Sequence, residues 1–133
     1  MRKWLIFICS VFLAGCPGYK DKFIIDSPAQ VIVVDNNVCI LVSGAEGEYV
    51  TSVQLYSNAG ARMHKTFNTP STWLYVGKST CLPTLNFTFT KGDTYSVYYN
   101  IENNTQGSIR FFAAHFSLSE DNQGRLHITQ YQK

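Results

Sequence analysis

The chain has 133 residues, of which 45% are hydrophobic, 14% are aromatic and only 15% are charged, and its formal net charge is +2. This length accommodates one domain with a modest core. The small charge excess argues against a nucleic-acid-binding protein, because such a protein needs a surplus of basic side chains.

The N-terminus has the layout of a secretory signal. Arg2 and Lys3 give a positive start, an apolar stretch of 11 residues follows, and Ala14 and Gly15 are the small residues that a cleavage site requires. The apolar stretch is too short to span a bilayer, which takes roughly 20 residues. We therefore predict a signal peptide over residues 1–15.

A cysteine directly follows this signal, and Leu13-Ala14-Gly15-Cys16 resembles the bacterial lipobox. The resemblance implies that the Cys16 thiol receives a diacylglycerol, that the chain is cut before it, and that the new amino group is acylated. Two or more acyl chains anchor a protein stably. In enteric bacteria an Asp after the lipidated cysteine retains a lipoprotein in the inner membrane, and here that position is Pro17. We therefore expect an anchor in the outer membrane, facing the periplasm. The alternative is an ordinary signal peptide followed by an unmodified cysteine.

Cleavage at this position changes the charge and the cysteine count. It removes Arg2 and Lys3 from the 11 basic residues, which leaves 9 basic and 9 acidic side chains and a formal net charge of zero. Cys9 leaves with the signal and the Cys16 thiol carries the lipid, so Cys39 and Cys81 remain as the pair within the mature domain. An oxidising compartment favours a disulfide between them. Two buried thiols and a redox pair are the alternatives, although the C-x-x-C spacing of a redox pair is absent.

Beyond Lys22 the chain has the pattern of a β protein. Apolar and β-branched runs alternate with Gly, Asn and Asp clusters, as in a sandwich or barrel. The runs AQVIVVD and NVCILVS flank residues 35–37, which predicts a hairpin. TSVQLYS and ARMHKTF flank residues 58–60 and are half polar, as expected for a sheet with one solvent-facing side.

The second half of the chain continues in strands. STWLYV predicts a short strand, and LNFTFT predicts another that places Leu85, Phe87 and Phe89 on one face. TYSVYYNIE predicts a strand whose core-facing residues are Tyr95, Val97, Tyr99 and Ile101. SIRFFAAHFSLS breaks alternation at residues 111–112, which indicates a bulge or a strand buried on both faces. RLHITQY is the last predicted strand.

These runs predict about nine strands and no amphipathic helix. We predict an all-β fold, an antiparallel β-sandwich that is immunoglobulin-like, over residues 29–133. Residues 16–28 would tether it to the lipid. In such a sandwich a Cys39–Cys81 disulfide would join the two sheets, and Trp73 would pack in the core or at its rim.

No pattern indicates catalysis or a cofactor. VGKST at residues 76–80 matches the end of a phosphate-binding loop, but Thr72 stands where that motif needs glycine, and no helix pattern follows. His64, His115 and His127 lack metal-ligand spacing, and a G-x-S-x-G motif is absent. We therefore predict a protein that is not an enzyme and that binds no metal, cofactor or nucleic acid.

Several side chains point to a binding or structural module. By alternation, outward positions hold Tyr56, Tyr75, Tyr98 and Tyr131, and tyrosine is enriched in protein interfaces. The alternative is that these rings cover the second face of the sandwich. The loop at residues 43–48 carries Glu46 and Glu48, which we expect to be solvated and able to meet a basic partner surface.

A family resemblance rests on residues 13–18, on residues 36–40 and on Cys81. With these features the chain resembles the type VI secretion system immunity periplasmic lipoproteins of enterobacteria. The resemblance implies a lipid-anchored protein that binds a cognate toxin and neutralises it by stoichiometric occlusion. The partner-binding candidates are Tyr56, Tyr75, Tyr98, Glu46 and Glu48. The alternative is a structural or assembly lipoprotein of the envelope that docks on a larger complex through a sheet edge.

Overall fold

The structure is a computed structural model, and it describes residues 27–67, 69, 71–72, 74–77, 79–103 and 107–131. The predicted signal peptide, Cys16, the tether up to residue 26 and Trp73 lie outside the described residues. The strands are β1 (Ser27–Pro28), β2 (Gln30–Val34), β3 (Asn37–Val42), β4 (Glu48–Ser57), β5 (Arg62–Thr66), β6 (Leu74–Tyr75), β7 (Thr80–Cys81), β8 (Thr94–Asn103), β9 (Ser108–Glu120) and β10 (Leu126–Tyr131).

The strands form two sheets packed face to face. The large sheet has seven strands in the order β1-β9-β8-β4-β5, with β10 also paired to β9 and β6 also paired to β4, and the small sheet has the order β2-β3-β7. Apolar side chains from both sheets make one core. The prediction of an all-β, antiparallel sandwich of about nine strands is confirmed: the described residues form ten strands, and among their pairings only that of the two-residue β1 with β9 is parallel. In the described part of the chain, no helix is long and apolar enough to cross a membrane.

The first predicted hairpin is confirmed and joins β2 to β3. Asp35 and Asn36 form its two-residue turn, with φ angles of 52° and 59°. Two successive positive φ angles define a type I′ turn, whose twist matches that of the flanking strands and which favours Asn and Asp. The third residue of the predicted turn, Asn37, begins β3.

Strand β8 lies at the centre of the large sheet and has the predicted alternation. Its four core-facing residues are buried: Tyr95, Val97, Tyr99 and Ile101. Its pairing with β9 is continuous from Thr94 opposite Ser117 to Asn103 opposite Ser108. The prediction of a bulge or of a strand buried on both faces at residues 111–112 is therefore wrong, since the pairing is continuous and Phe111 is exposed. Phe112 faces inward and stacks on Tyr99, whereas Phe111 faces outward; the register shift lies in β4 instead, between Val50 and Ser52.

The predicted strand at LNFTFT is wrong. Leu85 and Asn86 have φ angles of 50° and 67°, which a strand does not adopt, and the Phe87 N–H donates to the Thr84 carbonyl in a turn. Leu85 is exposed, but Phe87 and Phe89 still pack against the core, with ring centroids 6.0 and 5.0 Å from that of Tyr95. The segment is thus an irregular cover over one end of the large sheet. Of the described residues of STWLYV, Leu74 and Tyr75 alone are in a strand, β6.

The disulfide between Cys39 and Cys81 is present, with a Cα–Cα distance of 5.1 Å. It does not join the two sheets, because Cys39 lies on β3 and Cys81 lies on β7 of the same small sheet. Leu41, opposite Cys81, is two residues from Cys39, so the bridge is a diagonal cross-strand link. Side-chain amides connect the sheets: Gln130 bonds to backbone groups of Ala29 and Val31, and Asn36 bonds to those of Gly124 and Leu126.

Candidate functional site

The large sheet has one face packed on the core and one face directed outward. The outward side chains of its three central strands alternate with buried ones and are exposed or half-buried. We call them the outer face, together with the outward side chain of β10 that contacts them. They are Ser52, Gln54 and Tyr56 of β4, Thr94, Ser96, Tyr98 and Asn100 of β8, Phe111, Ala113, His115 and Ser117 of β9, and Tyr131 of β10.

Four rings form a diagonal row across the outer face, which we call the aromatic row. Tyr131 stacks on His115 with ring centroids 6.1 Å apart, and His115 contacts Tyr98 edge to face at 5.8 Å. Tyr98 in turn contacts Tyr56 edge to face at 6.1 Å. Each successive ring comes from the next strand, so the row crosses β10, β9, β8 and β4. Tyr131 lies directly opposite His115, whereas the other two contacts join diagonal cross-strand neighbours. Both kinds of neighbour lie within reach of aromatic side chains, which explains the geometry.

Hydrogen bonds within the outer face hold two members of the row. The His115 Nδ1 and the Ser96 Oγ lie 2.8 Å apart in a hydrogen bond. The Tyr56 hydroxyl donates to the Gln54 Oε1 at 2.9 Å. A ring that is already positioned loses less conformational entropy when a partner covers it.

The outer face carries no formal charge in its centre. No Asp, Glu, Lys or Arg occurs in residues 52–56, 94–100 or 111–117, all of which the structure describes. The face is instead built from Tyr, Phe and His rings among Ser, Thr, Asn and Gln. This combination of rigid aromatic contact area with adaptable hydrogen-bonding groups is the chemistry of antibody-type binding surfaces.

A shallow pocket of about 130 Å³ opens on this face beside the aromatic row. Its lining comes from the three central strands: Ser52 and Gln54 of β4, residues 98–100 of β8, and Phe111 and Phe112 of β9. The Oδ1 atom of Asn100 is buried and has no hydrogen-bond partner. Most buried polar atoms in folded proteins are paired, so this acceptor requires an explanation.

The structure brings Tyr56 and Tyr98 together but places Tyr75 elsewhere. Tyr75 lies on the two-residue strand β6, is 68% exposed, and contacts Tyr49 edge to face at 5.9 Å. Burial raises the pKa of the Tyr49 phenol, and the nearby Glu102 carboxylate raises it further. The predicted outward positions of all four tyrosines, including Tyr131, are correct, but Tyr75 does not belong to the row.

The two predicted glutamates differ in environment. Glu46 is exposed, as expected, whereas the expectation that Glu48 is solvated is wrong, since this residue begins β4 and is 8% exposed. The Arg110 Nη2 donates to both carboxylate oxygens of Glu48, at 2.8 and 2.7 Å, and the Ala45 N–H donates to one of them. Burial raises the pKa of Glu48, but the Ala45 and Arg110 hydrogen bonds outweigh it and leave the pKa lowered. Glu48 therefore anchors its own loop and is not available to a partner.

The histidines lie apart from one another. His64 is exposed on β5, His115 is half-buried in the aromatic row, and His127 is exposed and pairs with Asp121 at 3.0 Å. Hydrogen bonds from His127 and the Arg125 backbone lower the pKa of Asp121 to about 2. Among the described residues, no group of His, Cys, Asp and Glu side chains is arranged to hold a metal ion. Of the VGKST segment, Lys78 lies outside the described residues.

Sequence reasoning missed three residues of this face: Asn100, Phe111 and His115. Strict alternation along β9 would have placed Phe111 and His115 outward beside the tyrosines. The prediction of a bulge or of a strand buried on both faces at residues 111–112 concealed that signal. Asn100 carries no sequence signal, because only the pairing of β8 with its two neighbours brings it into the pocket.

Comparison with known proteins gives one match. A family profile described as "Domain of unknown function (DUF7480)" matches residues 26–121, which is more than half of the chain and includes every strand except β10. No curated protein and no solved structure matches significantly. The chain therefore belongs to the DUF7480 family.

Proposed function

We propose that this protein is a binding module that recognises another protein through its outer face. The observation that carries the proposal is the aromatic row, in which Tyr56, Tyr98, His115 and Tyr131 present a continuous strip of rings on an uncharged surface. Tyrosine is enriched at the residues that dominate binding energy in protein interfaces, and it combines apolar area with a polar tip. The hydrogen-bonded strands of the large sheet supply the rigid support that such a surface needs.

The composition of the face favours a protein over other partners. A nucleic acid requires basic side chains, and none occurs in the described centre of the face. The nearby pocket of about 130 Å³ is too small for a drug-sized molecule, whose pockets span about 300–1,000 Å³. Docking through a sheet edge is less favoured, since β5 at one edge carries Arg62, His64 and Lys65, and charged side chains discourage the addition of another strand.

Within this class, the proposed activity is neutralisation of a secreted toxin. The predicted signal peptide and the lipid on Cys16 would hold the domain on the periplasmic face of the outer membrane, where a delivered toxin arrives. An inhibitor of this kind works by stoichiometric occlusion and needs no catalytic group. The resemblance of residues 13–18 and 36–40 to immunity lipoproteins supports this choice.

The test is a calorimetric titration of the oxidised domain, carrying Cys16→Ser and starting after the signal, against the protein encoded beside it. We expect one-to-one binding with a nanomolar Kd. Tyr98→Ala should weaken it about 30-fold or more, because a central anchor contributes about 2 kcal/mol or more. Val34→Ala is the matched control: Val34 has a similar exposure to Tyr56 but lies on the small sheet, and its loss should leave the Kd unchanged.

Two outcomes would contradict the proposal. Tight binding that Tyr98→Ala and Tyr56→Ala leave unchanged would exclude the outer face as the interface. Absence of binding, combined with an envelope defect when the chain is deleted without any toxin present, would favour the structural or assembly role instead.

A further inference from the structure

The pocket beside the aromatic row has the size of one ring. Its volume is about 130 Å³, and a protein cavity of about 150 Å³ is large enough to admit a benzene molecule. It is bordered by Tyr98 of the row and by Phe111, which project from adjacent strands onto the same face. Aromatic rings pair in offset or edge-to-face geometry, so a ring that enters the pocket can contact both of these side chains. The pocket is therefore matched in size and lining to a single aromatic group.

One side of the pocket offers hydrogen-bond acceptors. Asn100 lines it, and the Asn100 Oδ1 is a buried acceptor without a hydrogen-bond partner. Ser52 lies opposite Asn100 on β4, and Gln54 is the next outward residue of that strand. An N–H or O–H at the edge of a bound ring would give the Asn100 oxygen the bond that it lacks, after a small rotation of the amide.

The pocket does not suit a charged group. None of the described residues that line it is ionised at neutral pH. A guanidinium, an ammonium or a carboxylate placed there would lose hydration without meeting an opposite charge, which is costly. A neutral ring with one polar edge avoids this cost.

We infer that the pocket between Tyr98 and Phe111 receives one aromatic side chain of the partner, a phenol or an indole, whose ring-edge donor binds the Asn100 Oδ1. The inference rests on the proposed function, because it names the chemistry of the residue that a protein partner inserts. It also places the energetic centre of the interface beside Tyr98, an inner member of the aromatic row. Ring anchors that fill pockets are the usual sites of concentrated binding energy.

The test uses small probes on the full chain carrying Cys16→Ser. The protein, labelled with 15N, is titrated with p-cresol, with indole and with toluene. NMR follows the Asn100 side-chain amide and the backbone amides of residues 98–100 and 111, which all variants retain. We expect saturable shifts at Asn100 with p-cresol and indole. Toluene has the ring but no hydrogen-bond donor, so its affinity should be lower than that of p-cresol by at least about fivefold.

Two variants make the test specific. Asn100→Leu keeps the approximate shape and removes the acceptor, so p-cresol should then bind no better than toluene. Phe111→Ala removes one side of the pocket and should weaken all three probes. Ser119→Ala, on the same strand but beyond the pocket, is the control and should change nothing. The native spectrum of each variant verifies its fold.

The inference is overturned if no probe gives saturable shifts at Asn100, or if toluene binds wild-type protein as well as p-cresol does. Failure of the proposed function gives a different result. In that case p-cresol still binds at Asn100 but no protein partner does. If instead a protein complex forms with the same Kd for wild type and Asn100→Leu, the proposed function stands and this inference alone is overturned.

Discussion

The side-chain amide of Gln130 is bound to the backbone of the opposite sheet: its Oε1 accepts a hydrogen bond from the Val31 N–H at 3.1 Å, and its Nε2 donates to the Ala29 carbonyl. In this way β10 of the large sheet is joined to β2, an edge strand of the small sheet. A side chain here supplies the donor and acceptor that a neighbouring strand would otherwise provide.

We expect Gln130→Leu to destabilise the sandwich by about 0.5–1.5 kcal/mol, the net contribution typical of an intramolecular hydrogen bond. Urea unfolding at constant temperature measures it. Thr129→Ala, at the adjacent exposed position of the same strand, is the control and should fall within about 0.5 kcal/mol of wild type. Equal effects of the two substitutions would mean that the Gln130 amide does not hold the sheets together.

Glu48→Gln should reduce the free energy of unfolding by about 1–3 kcal/mol, because it replaces a buried, charge-assisted interaction with Arg110. The expected loss is below that of a fully buried ion pair, since nearly half of the Arg110 side chain is exposed. Glu46→Gln is matched in chemistry and loop, but that side chain is exposed and should give no measurable change. A similar loss in both variants would assign the effect to net charge.

The same carboxylate predicts a dependence of stability on pH. The folded pKa of Glu48 is lowered from 4.5, so at pH values near 4.5 the unfolded chain binds more protons than the folded one. Stability should therefore be fully present above about pH 5 and decrease as the pH falls through the folded pKa. Asp121, lowered from 3.8 to about 2, should act in the same direction at more acidic pH. Between pH 7 and pH 3, the free energy of unfolding should depend less steeply on pH for Glu48→Gln than for wild type. An equal slope in the two proteins would contradict this.

Removal of the disulfide should cost up to about 4 kcal/mol, because Cys39 and Cys81 close a loop with a sequence separation of 42 residues. This is a large part of the 5–15 kcal/mol stability typical of a domain. Chemical unfolding of wild type with and without a reductant measures it. The double variant Cys39→Ser and Cys81→Ser should unfold at the same denaturant concentration in both conditions, and a shift caused by reductant in that variant would refute the assignment.

Tyr98 and Tyr99 are adjacent on β8 but face opposite sides of the sheet. Tyr99 is 4% exposed and stacks on Phe112, and burial raises the pKa of its phenol to about 12. Tyr99→Ala should lower stability by about 3–5 kcal/mol, as for other large core truncations. Tyr98→Ala should leave most of the stability intact but lower the affinity for the partner. Thermal unfolding and titration therefore separate the two roles. A larger stability loss for Tyr98 would show that it is a packing residue.

The sequence by itself determined the all-β class, the β2–β3 hairpin and the inward face of β8. Those features depend on neighbours in the chain: period-two alternation and the positive-φ tolerance of Asp35 and Asn36 act locally. The pairing of Cys39 with Cys81 was also predictable, because the predicted cleavage removes Cys9 and the predicted lipid occupies the Cys16 thiol.

Only the tertiary structure decided what each face carries. The alternating pattern of LNFTFT did not make a strand, because Leu85 and Asn86 turn the chain before any neighbour pairs with it. The sequence predicts a solvated loop residue at Glu48, but the fold places Arg110 of β9, 62 residues away in the chain, against its carboxylate. The aromatic row and the Asn100 pocket arise from the register between β4, β8, β9 and β10, and such long-range pairing leaves no trace in a single strand's composition.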